Sequence, residues 1–208
     1  ASPTTENLLY RRLREKIPLK AVIWLLNGTD TIDERFYRTL ATKTDELGVP
    51  ILMPPGSLRF PVGMPFERVY RFLKGHSFFA ELIYQRIHYQ RYMELAESIP
   101  ANHEVLCGAI DRMARDLRAD HVPLLIVFTP LPARGIERIW PGIRYEPGHL
   151  ETMVKCAKAS GFPTIDLSRE NPDPSWYVGD ELHSTPAGAR WIAEHISPAV
   201  SQLGRARR

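Results

Sequence analysis

The chain has 208 residues, of which 44% are hydrophobic and 25% are charged. This length and composition are typical of a globular protein with a sizeable core and exclude a disordered chain. Lysine and arginine number 27 against 24 acidic residues, and the resulting net charge of +3 is too small to indicate nucleic-acid binding. The longest apolar runs, 21–26 and 123–128, are far too short to span a bilayer.

The sequence of residues 1–98 predicts three helices, one buried strand and one short strand. Ser2 and Pro3 are typical of an N-cap and a first helical position, and the helix that they begin is predicted to reach residue 16. Its apolar face is predicted from Leu8, Leu9 and Leu13. The apolar run 21–26, followed by Asn27-Gly28, predicts a parallel strand buried on both faces and its exit turn. Beyond it the sequence predicts a helix at 33–47, a short strand at 51–53, a loop at 54–65 and a long helix at 76–98.

The second part continues the alternation. An amphipathic helix is predicted from the spacing of Leu106, Ile110, Met113 and Leu117. It is followed by a buried strand at 123–128, a helix at 147–160, a strand at 162–167 and a closing helix at 185–203. This order predicts one α/β domain over residues 1–208 with a mostly parallel sheet. Ligands of such sheets bind at the carboxyl edge of the strands, here after residues 26, 128 and 166–168.

Asp180 and His183 form the most specific motif, between the last strand and the last helix. In a tight turn the Asp180 carboxylate can accept the Nδ1–H of His183, which leaves Nε2 free to act as a base. The alternative is a turn-capping aspartate beside a half-buried histidine.

Two further groups of residues are candidates for binding. The turn Asn27-Gly28-Thr29-Asp30 offers amide and hydroxyl donors for an oxyanion hole, although an ordinary turn with Asx hydrogen bonds is the alternative. In the loop after 129–130, three arginines alternate with aromatic residues and can hold an acidic or sugar-like substrate. These are Arg134, Arg138 and Arg144, and a solvated loop is the alternative.

Metal and cofactor sites are not expected. The sequence contains no Cys-x-x-Cys, His-x-His or His-Glu-x-x-His motif and no glycine-rich phosphate loop. Its two cysteines, Cys107 and Cys156, leave open one bridge or two free thiols.

The order of five sequence blocks resembles that of the SGNH (GDSL-like) hydrolase superfamily, nearest the branch of bacterial polysaccharide O-acetyltransferases and cell-surface esterases. The matching blocks are 22–30, 76–77, 122–130, 161–167 and Asp180-x-x-His183-x-x-Pro-x-Gly188. The resemblance implies a flavodoxin-like three-layer sandwich and a Ser–His–Asp triad, with His183 as base and Asp180 as the orienting acid. It also matches the segment 28–30 to the family's Gly-Asn-Asp block, where Thr29 replaces the oxyanion-binding asparagine and Asn27 lies nearby.

The family's nucleophile block, Gly-Asp-Ser, does not occur in the chain. Ser77 opens a predicted helix, and Ser184 adjoins His183, so both are poor substitutes. We therefore expect an N-terminally incomplete domain that lacks the first strand or strands of the family fold. Its nucleophilic serine would come from residues upstream of Ala1 or from a second chain.

The sequence thus predicts a serine esterase or O-acyltransferase that acts on a small acyl ester or an acylated sugar. An inactive SGNH-like domain that holds a glycan or a protein partner is the alternative, and a nucleic-acid binder that uses its basic loop is a third. The compartment stays open, with the periplasm or secretion fitting a cell-surface substrate.

Overall fold

The computed structural model describes residues 2–40, 100–131, 147–177 and 183–205. Residue contacts group the chain into two compact units, one of Ala1–Glu34 with Ala101–Arg208 and one of Arg35–Pro100. The predicted elements at 51–53, 54–65 and 76–98 lie outside the described residues. The described elements are α1 (Pro3–Arg14), β1 (Val22–Leu26), α2 (Gly28–Leu40), α3 (His103–Ala119), β2 (Leu124–Phe128), α4 (Pro147–Ala159), β3 (Thr164–Asp166), a 3-10 helix (Pro174–Trp176) and α5 (Pro186–Arg205).

The three described strands form a parallel sheet in the order β1-β2-β3. Every residue of β2, the central strand, is buried, as its unbroken apolar sequence predicts. The prediction of an α/β fold with a parallel sheet is therefore confirmed. Among the described residues β1 pairs with β2 alone, so its other edge has no partner strand there.

The inner face of the sheet consists of Trp24, Leu26, Leu124, Ile126 and Phe128. Helices α1, α3 and α4 cover this face and form the main core with it. The core includes all four residues whose spacing predicts α3, so that prediction is confirmed. Its larger helical members are Tyr10, Leu106, Ile110, Met113, Leu117, Leu150 and Met153.

The outer face consists of Ile23, Leu25, Leu125 and Val127, since successive side chains of a strand point to opposite sides. Helix α5 packs on the β2 part of this face. The prediction that β1 is buried on both faces is wrong, because Ile23 and Leu25 are 43% and 47% exposed. An apolar strand sequence does not by itself supply a second covering layer.

Helix α1 begins at Pro3 with Ser2 as its N-cap, as predicted. Its predicted leucine face is wrong, because Leu9 is largely exposed and the helix packs through Thr4, Asn7 and Tyr10. The polar groups of these three buried residues form hydrogen bonds. Thr4 bonds to Glu34, Asn7 to Asp116 and the Tyr10 hydroxyl to Asp120.

A disulfide joins Cys107 of α3 to Cys156 of α4, with the two Cα atoms 5.8 Å apart. Of the alternatives left open by the sequence, the structure therefore shows one bridge. It connects two of the three helices that cover the inner face, and it joins residues 49 positions apart in the sequence.

Candidate functional site

All three strands end at one edge of the sheet, because Leu26 pairs with Phe128 and Phe128 pairs with Asp166. A cavity of about 710 Å³ lies at this edge. Ligands of parallel α/β sheets bind at the carboxyl ends of the strands, so this cavity is the candidate site. It is lined by Gly28, Leu131, Asp166, Ser168, Arg169, Glu170, Asn171 and Pro172 after the strands, and by Leu150, Glu151, Val154, Lys155 and Lys158 of α4.

The turn after β1 caps helix α2, which begins at Gly28 and not at the predicted residue 33. The side-chain oxygen of Asn27 accepts the N–H of Thr29 at 2.8 Å and its hydroxyl at 2.7 Å. The Asp30 carboxylate accepts the N–H of Asn27 at 2.6 Å. Two of the predicted oxyanion donors, the amides of Asn27 and Thr29, are therefore used within the turn. The N–H of Gly28 has no partner among the described residues, and Gly28 lines the cavity.

Asp30 lies behind this turn and is 5% exposed. Burial raises its pKa well above the usual range, and the hydrogen bond from Asn27 opposes the rise. The carboxyl of Glu6 also has a raised pKa because of burial, while the indole N–H of Trp24 donates to it. A buried Asp30 that accepts a backbone N–H holds the turn in place, which is a structural role and not a donor role.

The segment after β3 contributes polar groups that the predicted site residues do not include. The Asp166 carboxylate accepts the N–H of Ser168 at 3.1 Å and its hydroxyl at 2.5 Å. Arg169 pairs with Glu151 of α4 at 3.2 Å across the cavity lining. Because parallel strands end at one edge of the sheet, the sequence indicates that this segment belongs to the ligand edge. It does not indicate α4 residues such as Lys158, because helical spacing does not show which face of a helix meets a cavity.

His183 is exposed and directly precedes Ser184, which forms an antiparallel bridge with Tyr177. The Tyr177 hydroxyl donates to the carbonyl of Pro130 at 2.7 Å, two residues beyond the end of β2. The chain around His183 is thus attached to the carboxyl edge of the sheet. Burial raises the pKa of Tyr177, so it stays a neutral donor there.

Close packing at the start of α5 fixes this attachment. The N–H of Thr185 donates to the carbonyl of Trp176 at 2.7 Å, and Trp176 stacks on Trp191 at 5.0 Å. A Cβ atom at Gly188 would lie 2.5 Å from the Trp176 carbonyl oxygen, so only glycine fits at this position. The sequence block around Pro186 and Gly188 is therefore explained by packing.

The remaining predicted site residues lie outside the described residues. They are Asp180, Arg134, Arg138 and Arg144. The hydrogen bond between Asp180 and His183 and the arginine-lined substrate loop accordingly stay predictions.

No helix among the described residues combines the length and apolar character needed to cross a membrane. Comparison of the chain with models of known families, with curated proteins and with solved structures found no match.

Proposed function

We propose that this chain is the larger part of an SGNH-type serine esterase or O-acyltransferase whose substrate is an acyl ester or an acylated sugar. The cavity at the carboxyl edge of the sheet carries the proposal, because Gly28 lines it and the Gly28 N–H has no partner in the described part of the chain. His183 is the general base and Asp180 orients it. The nucleophilic serine comes from residues upstream of Ala1 or from a second chain.

The order of the strands supports this assignment. Three parallel strands in the order β1-β2-β3 would correspond, on this proposal, to the last three strands of a flavodoxin-like sheet, whose order is 2-1-3-4-5. In that arrangement β1 would pair with a further strand on its open edge. Ile23 and Leu25 would then face the helix that follows the further strand, which would bury the apolar side chains that β1 exposes.

The oxyanion donors are fewer than the family resemblance implies. The backbone N–H of Asn27 and both the N–H and the hydroxyl of Thr29 donate within the turn. The Gly28 N–H and the side-chain NH₂ of Asn27 remain as donors for an oxyanion. Two donors are enough for an oxyanion hole, in which loss of one donor costs about 100- to 1,000-fold in kcat. The internal use of the other donors favours the second candidate, a domain that binds a glycan in the same cavity without catalysis.

The two candidates differ in their reaction with a fluorophosphonate, which labels only an activated serine. The protein isolated from its natural source should be labelled on one serine, and His183→Ala should slow labelling by about 1,000-fold or more, as loss of a triad base does. His195→Gln is the matched control, because His195 is an exposed histidine of α5 that bonds within its own helix.

Labelling that is unchanged in His183→Ala would overturn the assignment of the base. A complete lack of labelling in the natural protein, together with saturable binding of an acylated oligosaccharide, would establish the binding domain instead.

A further inference from the structure

A second cavity, of about 550 Å³, lies beside the disulfide and shares Lys155 with the cavity at the strand ends. It is formed between α3 and α4, and only one of the two bridged sulfurs belongs to its lining. Cys156 lines it, whereas Cys107 is fully buried in the inner-face core. A small molecule that enters the cavity can therefore reach the disulfide at Cys156 alone.

His103 lies at the same point. Its Nε2 is 3.7 Å from the sulfur of Cys156, and one ring nitrogen and both sulfurs lie within 4.8 Å of one another. His103 is the first residue of α3 and is exposed, so its ring can exchange protons with solvent. The Cys107 sulfur also lies within 4.8 Å of a His103 ring nitrogen, so a protonated imidazole can supply a proton to that sulfur when it leaves a broken disulfide.

The charged groups of the cavity are mainly positive. Arg115, Arg118 and Lys155 oppose a single carboxylate, Asp111. Arg118 donates to the carbonyl of Ser160, while Arg115 and Lys155 have no ion pair among the described residues. Such walls attract a carboxylate-bearing ligand and repel a metal cation.

We propose that this cavity is a thiol–disulfide exchange site at which a small, carboxylate-bearing thiol reduces the Cys107–Cys156 bridge through a mixed disulfide on Cys156. The inference is independent of the proposed esterase function. The size of the cavity is in the range of small-molecule sites, roughly 300–1,000 Å³.

The exchange proceeds in two balanced steps. The thiolate of the small thiol attacks the Cys156 sulfur, a new S–S bond forms there, and the bond to Cys107 breaks. Protonated His103 donates its proton to the departing Cys107 sulfur, which avoids a buried thiolate. A second thiolate then attacks the sulfur of the first thiol, which releases a small-molecule disulfide and leaves Cys156 as a thiolate. Two thiols are oxidised to one disulfide, and the protein disulfide is reduced to two thiols.

The charge of the thiol is the first test. The oxidised chain is incubated without denaturant with glutathione, which is anionic, or with cysteamine, which is cationic, and the loss of the bridge is followed by intact mass after acid quenching. Per thiolate, glutathione should react about 10-fold faster, because the lining attracts negative charge. Lys155→Gln should remove several-fold of this preference. Lys158→Gln is the matched control, since Lys158 lies one turn along the same helix but lines only the other cavity.

The position of the adduct is the second test. Trapping an early time point with N-ethylmaleimide in denaturant, where buried Cys107 becomes accessible, should leave glutathione on Cys156 and the maleimide on Cys107. His103→Gln should slow the exchange several-fold, because the Cys107 sulfur then leaves without a nearby proton donor.

Three results would overturn the proposal. One is a bridge that is reduced only when denaturant is added, and another is a first adduct on Cys107. The third is an exchange rate per thiolate that is the same for glutathione and cysteamine, both in the wild type and in Lys155→Gln.

Discussion

The inner and outer faces of the sheet differ in what covers them. Three helices cover the inner face, and a disulfide joins two of those helices. On the outer face α5 covers β2, while Ile23 and Leu25 of β1 remain more than 40% exposed. The same strand thus contributes fully buried and half-exposed side chains at alternate positions, because burial depends on the neighbouring layer and not on the residue type.

Loss of the disulfide, which joins two helices of the inner face, is expected to have the largest effect on the free energy of unfolding. Closing a loop of about 50 residues stabilises the folded chain by about 4 kcal/mol in the chain-entropy description. Reduction should lower the free energy of unfolding by that amount, measured by urea unfolding of oxidised and reduced protein. The double variant Cys107→Ala/Cys156→Ala is the control and should not respond to reductant. A loss below about 1 kcal/mol would mean that the core around α3 and α4 does not depend on the bridge.

Matched truncations on the two faces should differ next. Ile126→Ala removes a fully buried inner-face side chain, and we expect it to lower the free energy of unfolding by about 3 kcal/mol. Leu25→Ala on the outer face should cost less than about 1 kcal/mol, because Leu25 is 47% exposed. Equal losses in urea unfolding would contradict the difference between the faces. A larger loss for Leu25→Ala in a longer natural protein than in this chain would indicate that a further strand and helix cover the outer face.

A glycine-to-alanine substitution should destabilise the protein more at the start of α5 than at the start of α4, a helix of the inner face. Gly188→Ala places a Cβ against the backbone of Trp176, so we expect a loss of about 1–3 kcal/mol. Gly148→Ala in the first turn of α4 meets no atom within 4 Å and should be neutral or stabilising by about 0.5 kcal/mol. Thermal unfolding of both variants measures the difference. The idea of a close-packed junction fails if the two substitutions have the same effect.

The smallest expected effect concerns the pH dependence at the end of β1. Burial raises the pKa of Asp30 in the folded chain, so its stabilising contribution is complete below its unfolded pKa of about 4 and is lost as the pH rises through the folded value. Asp30→Asn keeps an acceptor for the Asn27 N–H and cannot ionise. Its melting temperature should therefore fall less than that of the wild type as the pH rises above about 4.

Asp173→Asn is the control of opposite sign. Asp173 is exposed, and a hydrogen bond from the Ser175 N–H lowers its pKa, so its contribution is lost as the pH falls. Identical pH profiles for wild type and Asp30→Asn would show that Asp30 does not control this dependence.

Local sequence signals determined the central elements of the fold. Five consecutive apolar residues predict β2 as a strand buried on both faces, and the spacing of apolar residues predicts α3. Ser2 and Pro186 mark helix starts correctly, because capping and the fixed φ of proline act within one turn. The edge of the sheet that holds the cavity also follows from sequence, since parallel strands end together.

Other features were decided only by tertiary structure. The polar face of α1 is buried because Thr4, Asn7 and Tyr10 find partners more than 25 positions away in the sequence. The pairing of Cys107 with Cys156 depends on two helices that lie side by side. Likewise, the sequence of the turn 27–30 allows either oxyanion donors or ordinary Asx hydrogen bonds, and in the fold the backbone N–H groups of Asn27 and Thr29 donate within the turn. Residue order sets local conformation, whereas the packing of distant segments determines which polar groups and which faces remain available.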